Sequence, residues 1–292
     1  MDNTDFKNLN ITLVGLGLIG GSIAKSIRKN VGVKNLWAVD IDEKTLKYAE
    51  KEKVIDKGFT EGKFPLENSD IIILSTYPKA TLDFIRNNSI HFKPEAIVTD
   101  TSGIKTSIIR EIKNLLPEDV IFIGGHPMAG KELSGYENSD DKILKNCEYI
   151  ITPENNTNTR ALKILTKLIN SLGFKEITSM TPENHDTKIA FTSQLPHIIA
   201  CALMNNKNLD ESISGIGGSF KDMTRVAKIN SNLWCELIND NKLNILKELE
   251  VFRDDINKIY DIIESEDQNQ LKEIFKKSTL RRKDMENEKI NC

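Results

Sequence analysis

Two hydrophobic rhythms divide this chain. From Asn10 to about Ile177, short β-branched runs alternate with amphipathic stretches, the pattern of a parallel sheet with helices on both faces. Runs at 11–14, 36–39, 71–74, 97–99, 120–123, 148–151 and 174–177 predict seven strands. Between the first two, Ile19, Ile23 and Ile27 recur at helical spacing and give one helix an apolar stripe to lay on the sheet. Thr181-Pro182-Glu183 then supplies a capping hydroxyl, a proline for the first helical position and an acid for the first turn. Beyond it the strand signal disappears. Helical periods remain, the clearest at Leu246, Leu249, Phe252, Ile256, Ile259 and Ile263.

The expectation is an α/β fold: a Rossmann-like dinucleotide-binding domain over 1–181, followed by an all-helical C-terminal domain for dimerisation and substrate binding over 182–292. The apolar stripe after residue 245 is either an intrachain core or a subunit seam. Long helices need a partner to bury such a face, which favours a homodimer. The polar cluster from Glu154 to Thr159 reads as a connection between a strand and a helix.

Composition narrows the chemistry. The 292 residues exceed the usual single-domain size, consistent with two packed units. A net charge of -3 is spread without long blocks of one sign, so neither a nucleic-acid footprint nor a membrane-surface patch is expected. Cys147, Cys201, Cys235 and Cys292 are far apart and form no CxxC pair, as for reduced thiols in a cytoplasmic protein. The N-terminus is polar, and no apolar run approaches the roughly 18 residues of a membrane span. Small-molecule chemistry is the default, and no metal is assigned.

The turn Gly15-Leu16-Gly17-Leu18-Ile19-Gly20 follows a strand and opens a helix. That context suits a dinucleotide pyrophosphate: Gly15 for the tight turn, Gly17 for close backbone approach, Gly20 for packing helix on strand, with helix amides facing the phosphates. Asp40, at the end of the next strand, is placed for the adenosine ribose hydroxyls and would repel a 2′-phosphate, favouring NAD over NADP. No arginine follows it; Lys44 is within reach of a phosphate, and Asp42 is a candidate helix cap. Ser75 and Thr76, closing the run at 71–74, join the cofactor set.

Gly124-Gly125-His126-Pro127-Met128-Ala129-Gly130 follows another strand and places His126 at the carboxyl edge of the sheet, where open α/β folds bind ligands. A histidine beside a nicotinamide suits alcohol oxidation, because the hydroxyl must lose a proton as its carbon loses a hydride. An isolated histidine in a glycine-proline turn is equally often a packing residue. Spacing alone does not decide.

Further along lie Glu132, His185-Asp186, Leu195-Pro196-His197 and Phe220-Lys221-Asp222-Met223-Thr224-Arg225-Val226-Ala227. With the glycine turn and GGHPMAG, this ordered set resembles the prephenate and arogenate dehydrogenase family of tyrosine biosynthesis, over almost the whole chain. The resemblance implies an NAD(P)-linked oxidation of a cyclohexadienol coupled to loss of carbon dioxide. It makes His126 the base on the ring hydroxyl and Arg225 the clamp on a substrate carboxylate, as a planar guanidinium suits. His197 falls near the substrate side chain; Lys221 and Glu132 belong to the polar surroundings, and Asp186 supports the site. Read alone, Arg225 is a surface ion pair, His197 a core residue and His185-Asp186 the first turn of a helix.

The sequence departs from that pattern twice. Asp100-Thr101-Ser102-Gly103-Ile104-Lys105 has glycine where relatives commonly carry a serine; either Ser102 substitutes through a shifted loop or His126 acts without that hydroxyl. Gln194 stands where many relatives have histidine, which opens the choice between the keto acid prephenate and the amino acid arogenate. The expected activity is NAD-dependent prephenate dehydrogenase. The alternatives are arogenate or dual-specificity cyclohexadienyl dehydrogenase and, more distantly, a non-catalytic NAD-sensing dimer.

Overall fold

Eight strands form one sheet in the order β3-β2-β1-β4-β5-β6-β7-β8 in the computed structural model, which describes residues 5–209 and 215–291, with side chains to 286. Cys292 lies outside the described residues; Cys147, Cys201 and Cys235 are free thiols. The strands are β1 (Asn10–Val14), β2 (Asn35–Val39), β3 (Lys57–Phe59), β4 (Ile71–Leu74), β5 (Ile97–Asp100), β6 (Ile121–Pro127), β7 (Glu148–Thr152) and β8 (Glu176–Ser179). Seven are the predicted runs. The eighth, β3, is a three-residue edge strand, Lys-Gly-Phe, too short to show a period.

β1 pairs with β2 on one side and β4 on the other, all parallel, so the chain reverses its direction of travel across the sheet at β1/β4. Open sheets bind ligands at such a switch point, beyond the carboxyl ends of the strands. Helix Leu18–Asn30 buries Ile23 and Ile27 beside β1, and Ile11, Leu13, Leu36 and Ile71 lie in the same core. A second core around Ile72, Val98, Ile108 and Ile112 covers the opposite face.

β6 differs from expectation in length and partnership. Ile121–Ile123 pairs parallel with β5, then Gly124 to Pro127 pair antiparallel with β7, opposing Thr152 to Tyr149. His126 therefore stands within the strand, opposite Ile150, rather than just after it. Two bare glycines permit the handover: a Cβ on Gly124 would run into the Thr152 hydroxyl, and one on Gly125 into the Tyr149 hydroxyl. The sheet is accordingly parallel except at this one pair.

After β8 the described chain is helical. Thr181 caps helix Pro182–Ile189, its hydroxyl accepting from the Asn184 amide. The helix widens into a π turn over Ala190–Gln194 before continuing as Leu195–Met204. Pro196 explains the widening, since it lacks the N–H that a regular turn would use. Residues up to Lys242 form one compact unit with the sheet. Residues from Leu243 form a second, the helices Lys242–Glu264 (but for its first residue) and Gln268–Asn291.

Candidate active site

The glycine turn has the shape its sequence implies. Gly15 sits at φ +91°, where an added Cβ would also lie 2.7 Å from the Ser75 carbonyl and from the Thr76 methyl. Gly20 packs against the Gly15 carbonyl with no room for a side chain, whereas the space over Gly17 is open. Helix Leu18–Asn30 starts there with no side-chain cap and no acid in its first turn, leaving its amide end to attract an anion. The Asp40 carboxylate accepts from the Leu16 amide at 2.7 Å and the Asp42 amide at 2.9 Å, tying β2 to the turn while retaining lone pairs for further donors. Asp42 is the cap of helix Glu43–Lys51, through the Lys44 amide. Across the switch point, the Ser75 hydroxyl accepts from Thr101 and the Thr76 hydroxyl pairs with Thr81. This donor set fits a dinucleotide: a bare amide cradle, an opening over Gly17 and a carboxylate at the end of β2.

Next to the cradle, β5 and β6 carry a buried polar network. Lys105, wholly buried, places Nζ 2.5 Å from Asp100 Oδ2. Asp100 also accepts from the amides of Ser102 and Gly125, each at 3.0 Å, so one carboxylate fixes the loop after β5 and the middle of β6. Burial pushes the Lys105 ammonium below its usual range, against the pull of Asp100.

Partly buried His126 points Nδ1 at His185 Nε2, 2.8 Å away, with the rings near edge-on at 65°. His185 Nδ1 is in turn 2.7 Å from Asp186 Oδ1. Asp186 accepts from the amides of Lys105 and Thr106, both at 2.8 Å, at the start of helix Thr106–Leu115. Burial first, then His185 and Lys105, hold His126 well below the ordinary histidine range, so the ring is neutral at neutral pH. Its Nε2 faces Gly103: a Cβ there would lie 3.8 Å from Nε2 and 3.4 Å from the Leu237 side chain. Ser102, by contrast, is buried with its hydroxyl unpartnered among the described residues.

The helices after β8 supply the remaining candidates. Arg225, in the short turn following helix Gly218–Thr224, ion-pairs with Glu132 from the segment after β6. His197 gives Nδ1 to the Ser193 carbonyl at 2.8 Å and lies 4.0 Å from the Trp234 ring centre; burial, then the charges of Glu132 and Arg225, are felt at its ring, the burial lowering its pKa. Arg225, Glu132 and His197 thus form one group. Lys221 is exposed on helix Gly218–Thr224. Gln194 is turned inward, its amide donating to the Leu237 carbonyl and accepting from Asn241 at 2.6 Å.

Three members of this constellation have no role legible in the sequence alone. For Asp100 and Lys105 the signal is an acid ending a buried strand with a lysine five residues on. His185 looked like a helix first turn, because nothing local reveals that its ring meets residue 126. Among the described residues no group of three or more His, Cys, Asp or Glu could hold a metal, and no helix is long and apolar enough to cross a membrane.

Comparison with known proteins places the chain in a family. The family model described as prephenate dehydrogenase, nucleotide-binding domain, matches residues 23–178, and that of the prephenate dehydrogenase dimerization domain matches 181–277. A prephenate dehydrogenase of Bacillus subtilis (strain 168) is 31% identical over 272 residues, covering 91% of this chain and 73% of that protein. The crystal structure of prephenate dehydrogenase from A. aeolicus in complex with hydroxyphenyl propionate and NAD+ has a TM-score of 0.87 at 30% identity, covering 95% of this chain and 98% of that one. Synechocystis arogenate dehydrogenase has a TM-score of 0.81 at 28% identity, over 95% of this chain and 100% of the other. Two family models that together match most of the chain, and a relative 31% identical over 91% of it, establish that the chain belongs to the prephenate dehydrogenase family of oxidoreductases.

Proposed function

We propose that this protein oxidises prephenate with NAD, releasing carbon dioxide and leaving 4-hydroxyphenylpyruvate. The observation that carries the reading is His126, held through Nδ1 against His185 with Nε2 turned toward Gly103 at the carboxyl edge of the sheet. Nε2 takes the proton of the ring hydroxyl. Gly15 to Gly20 would hold NAD, with Asp40 at its ribose and Ser75 and Thr76 alongside, and the cofactor would supply the acceptor for the hydride of the same carbon. Carbon dioxide then leaves because the product ring becomes aromatic. Arg225 grips a substrate carboxylate in place of Glu132, with His197 and Lys221 toward the side chain. Asp186 acts from behind His126. Ser102 reaches the hydroxyl only if the loop after β5 shifts. The working form is a homodimer in the cytoplasm, built through the helical part beyond residue 181.

The test is formation of reduced cofactor by the purified protein, crossing prephenate and arogenate with NAD and NADP. Turnover of prephenate with NAD supports the proposal, and preference for arogenate moves the substrate to its amino-acid sibling. Binding of NAD without turnover of any pair would leave a nucleotide sensor instead.

A further inference from the structure

Wholly buried, His185 has a role in neither substrate nor cofactor binding, yet its ring bridges the base and Asp186. The protons along this chain follow by elimination. Burial disfavours the charged form of Asp186, but hydrogen bonds from His185 and Thr106 outweigh it and hold its carboxyl below the usual range. An ionised carboxylate only accepts. His185 Nδ1 must therefore carry the proton of that bond. Burial keeps the His185 ring below the ordinary histidine range, despite Asp186, so at neutral pH its Nε2 is bare and also only accepts. His126 Nδ1 must then be the donor, which leaves His126 Nε2 bare on the side facing Gly103. The tautomer a base needs is set two residues away.

We propose that His185 is a positioning residue that fixes this tautomer and receives the Nδ1 proton of His126 as Nε2 takes the substrate's. The inference rests on the reading of His126 as base. Its balance is simple: the substrate O–H breaks and His126 Nε2–H forms, while His126 Nδ1–H breaks and His185 Nε2–H forms. His126 ends neutral in its other tautomer, and His185 ends as an imidazolium against the Asp186 carboxylate. The surroundings favour that ending. The Lys105 ammonium, paired with Asp100, disfavours a cation on either ring, but only His185 touches a carboxylate. Asp100 adds its own attraction to a cation on the His185 ring.

Histidine 15N NMR of the whole protein near neutral pH reads the rings without substrate. Protons on Nδ1 of both His126 and His185 are expected; a proton on Nε2 of His126 overturns the proposal. Kinetics supply the second arm. His185→Asn keeps an amide toward Asp186 but stops short of His126, and is expected to cut kcat about 30-fold or more with KM held within about twofold. The acid limb of its kcat profile shifts, since a proton must then rest on His126 with neither the His185 ring nor Asp186 to share it. His185→Gln, whose amide reaches the place of Nε2, restores part of kcat but not the limb. Parental kcat and acid limb in His185→Asn overturn the proposal, as does joint loss of kcat and KM with no recovery in His185→Gln. If His126→Asn is inactive while His185→Asn is parental, only the relay fails; if His126→Asn turns over normally, the base assignment fails with it.

Discussion

His126 serves as a base only while it stays uncharged, and its surroundings enforce that by burial first and then by the neighbouring His185 ring and Lys105 ammonium. His126→Asn should lower turnover roughly 100-fold or more while leaving NAD affinity, measured by titration calorimetry, nearly unchanged. Undiminished turnover would remove it from the chemistry. The same burial has a cost in acid. His126, His185 and His197 all titrate below the ordinary histidine value in the folded chain, burial being the largest cause for each. As pH falls through about 6.5, the unfolded chain takes up protons that the folded one refuses, so stability declines. Calorimetry should find Tm dropping between about pH 7 and pH 5; a Tm that rises over this window would contradict neutral burial of these rings. At this scale the motif residues were readable because their spacing is preserved along the chain. His185 was not, since its meaning lies in a contact across 59 positions.

Among the elements, the strand–turn–helix unit at the start was legible because each glycine answers to a local steric demand. Gly15→Ala forces a side chain into φ +91° and within 2.7 Å of the Ser75 carbonyl, a strain of about 1–3 kcal/mol. Denaturant unfolding should record that loss together with weakened NAD binding, and wild-type values for both would refute the steric account. Two other elements carried no comparable signal. β3 has three residues and takes its conformation from β2, to which it pairs at Trp37, Ala38 and Val39. The far half of β6 reads as a glycine loop, because strand propensity is poor at Gly124 and Gly125; its pairing is supplied by β7, and the bareness of those glycines is what admits β7. Likewise the π turn before Pro196 arises from a missing amide and does not alter the apolar spacing that announced a helix.

For the molecule as a whole, periodicity foretold a sheet-bearing part followed by helices, and it foretold the apolar stripe as well. What it left open was whether that stripe faces its own chain. Leu246, Val251, Ile256, Tyr260 and Ile263 on one long helix, and Phe275, Leu280 and Met285 on the next, are exposed in the single chain. Such faces are expected to meet a second copy. Sedimentation should report a dimer, and Ile256→Glu with Ile263→Glu should weaken it about tenfold or more; a dimer of unaltered strength would assign the seam elsewhere. The bond from Asp186 to the amides of Lys105 and Thr106 bears on how such genes recombine. A crossover between two relatives near residue 180 would inherit His126, Lys105 and Asp100 from one parent and His185 and Asp186 from the other. Coupled residues do not contribute independently. Chimeras joined at that apparent module boundary will therefore inherit a working base only from parents whose two halves already match across it.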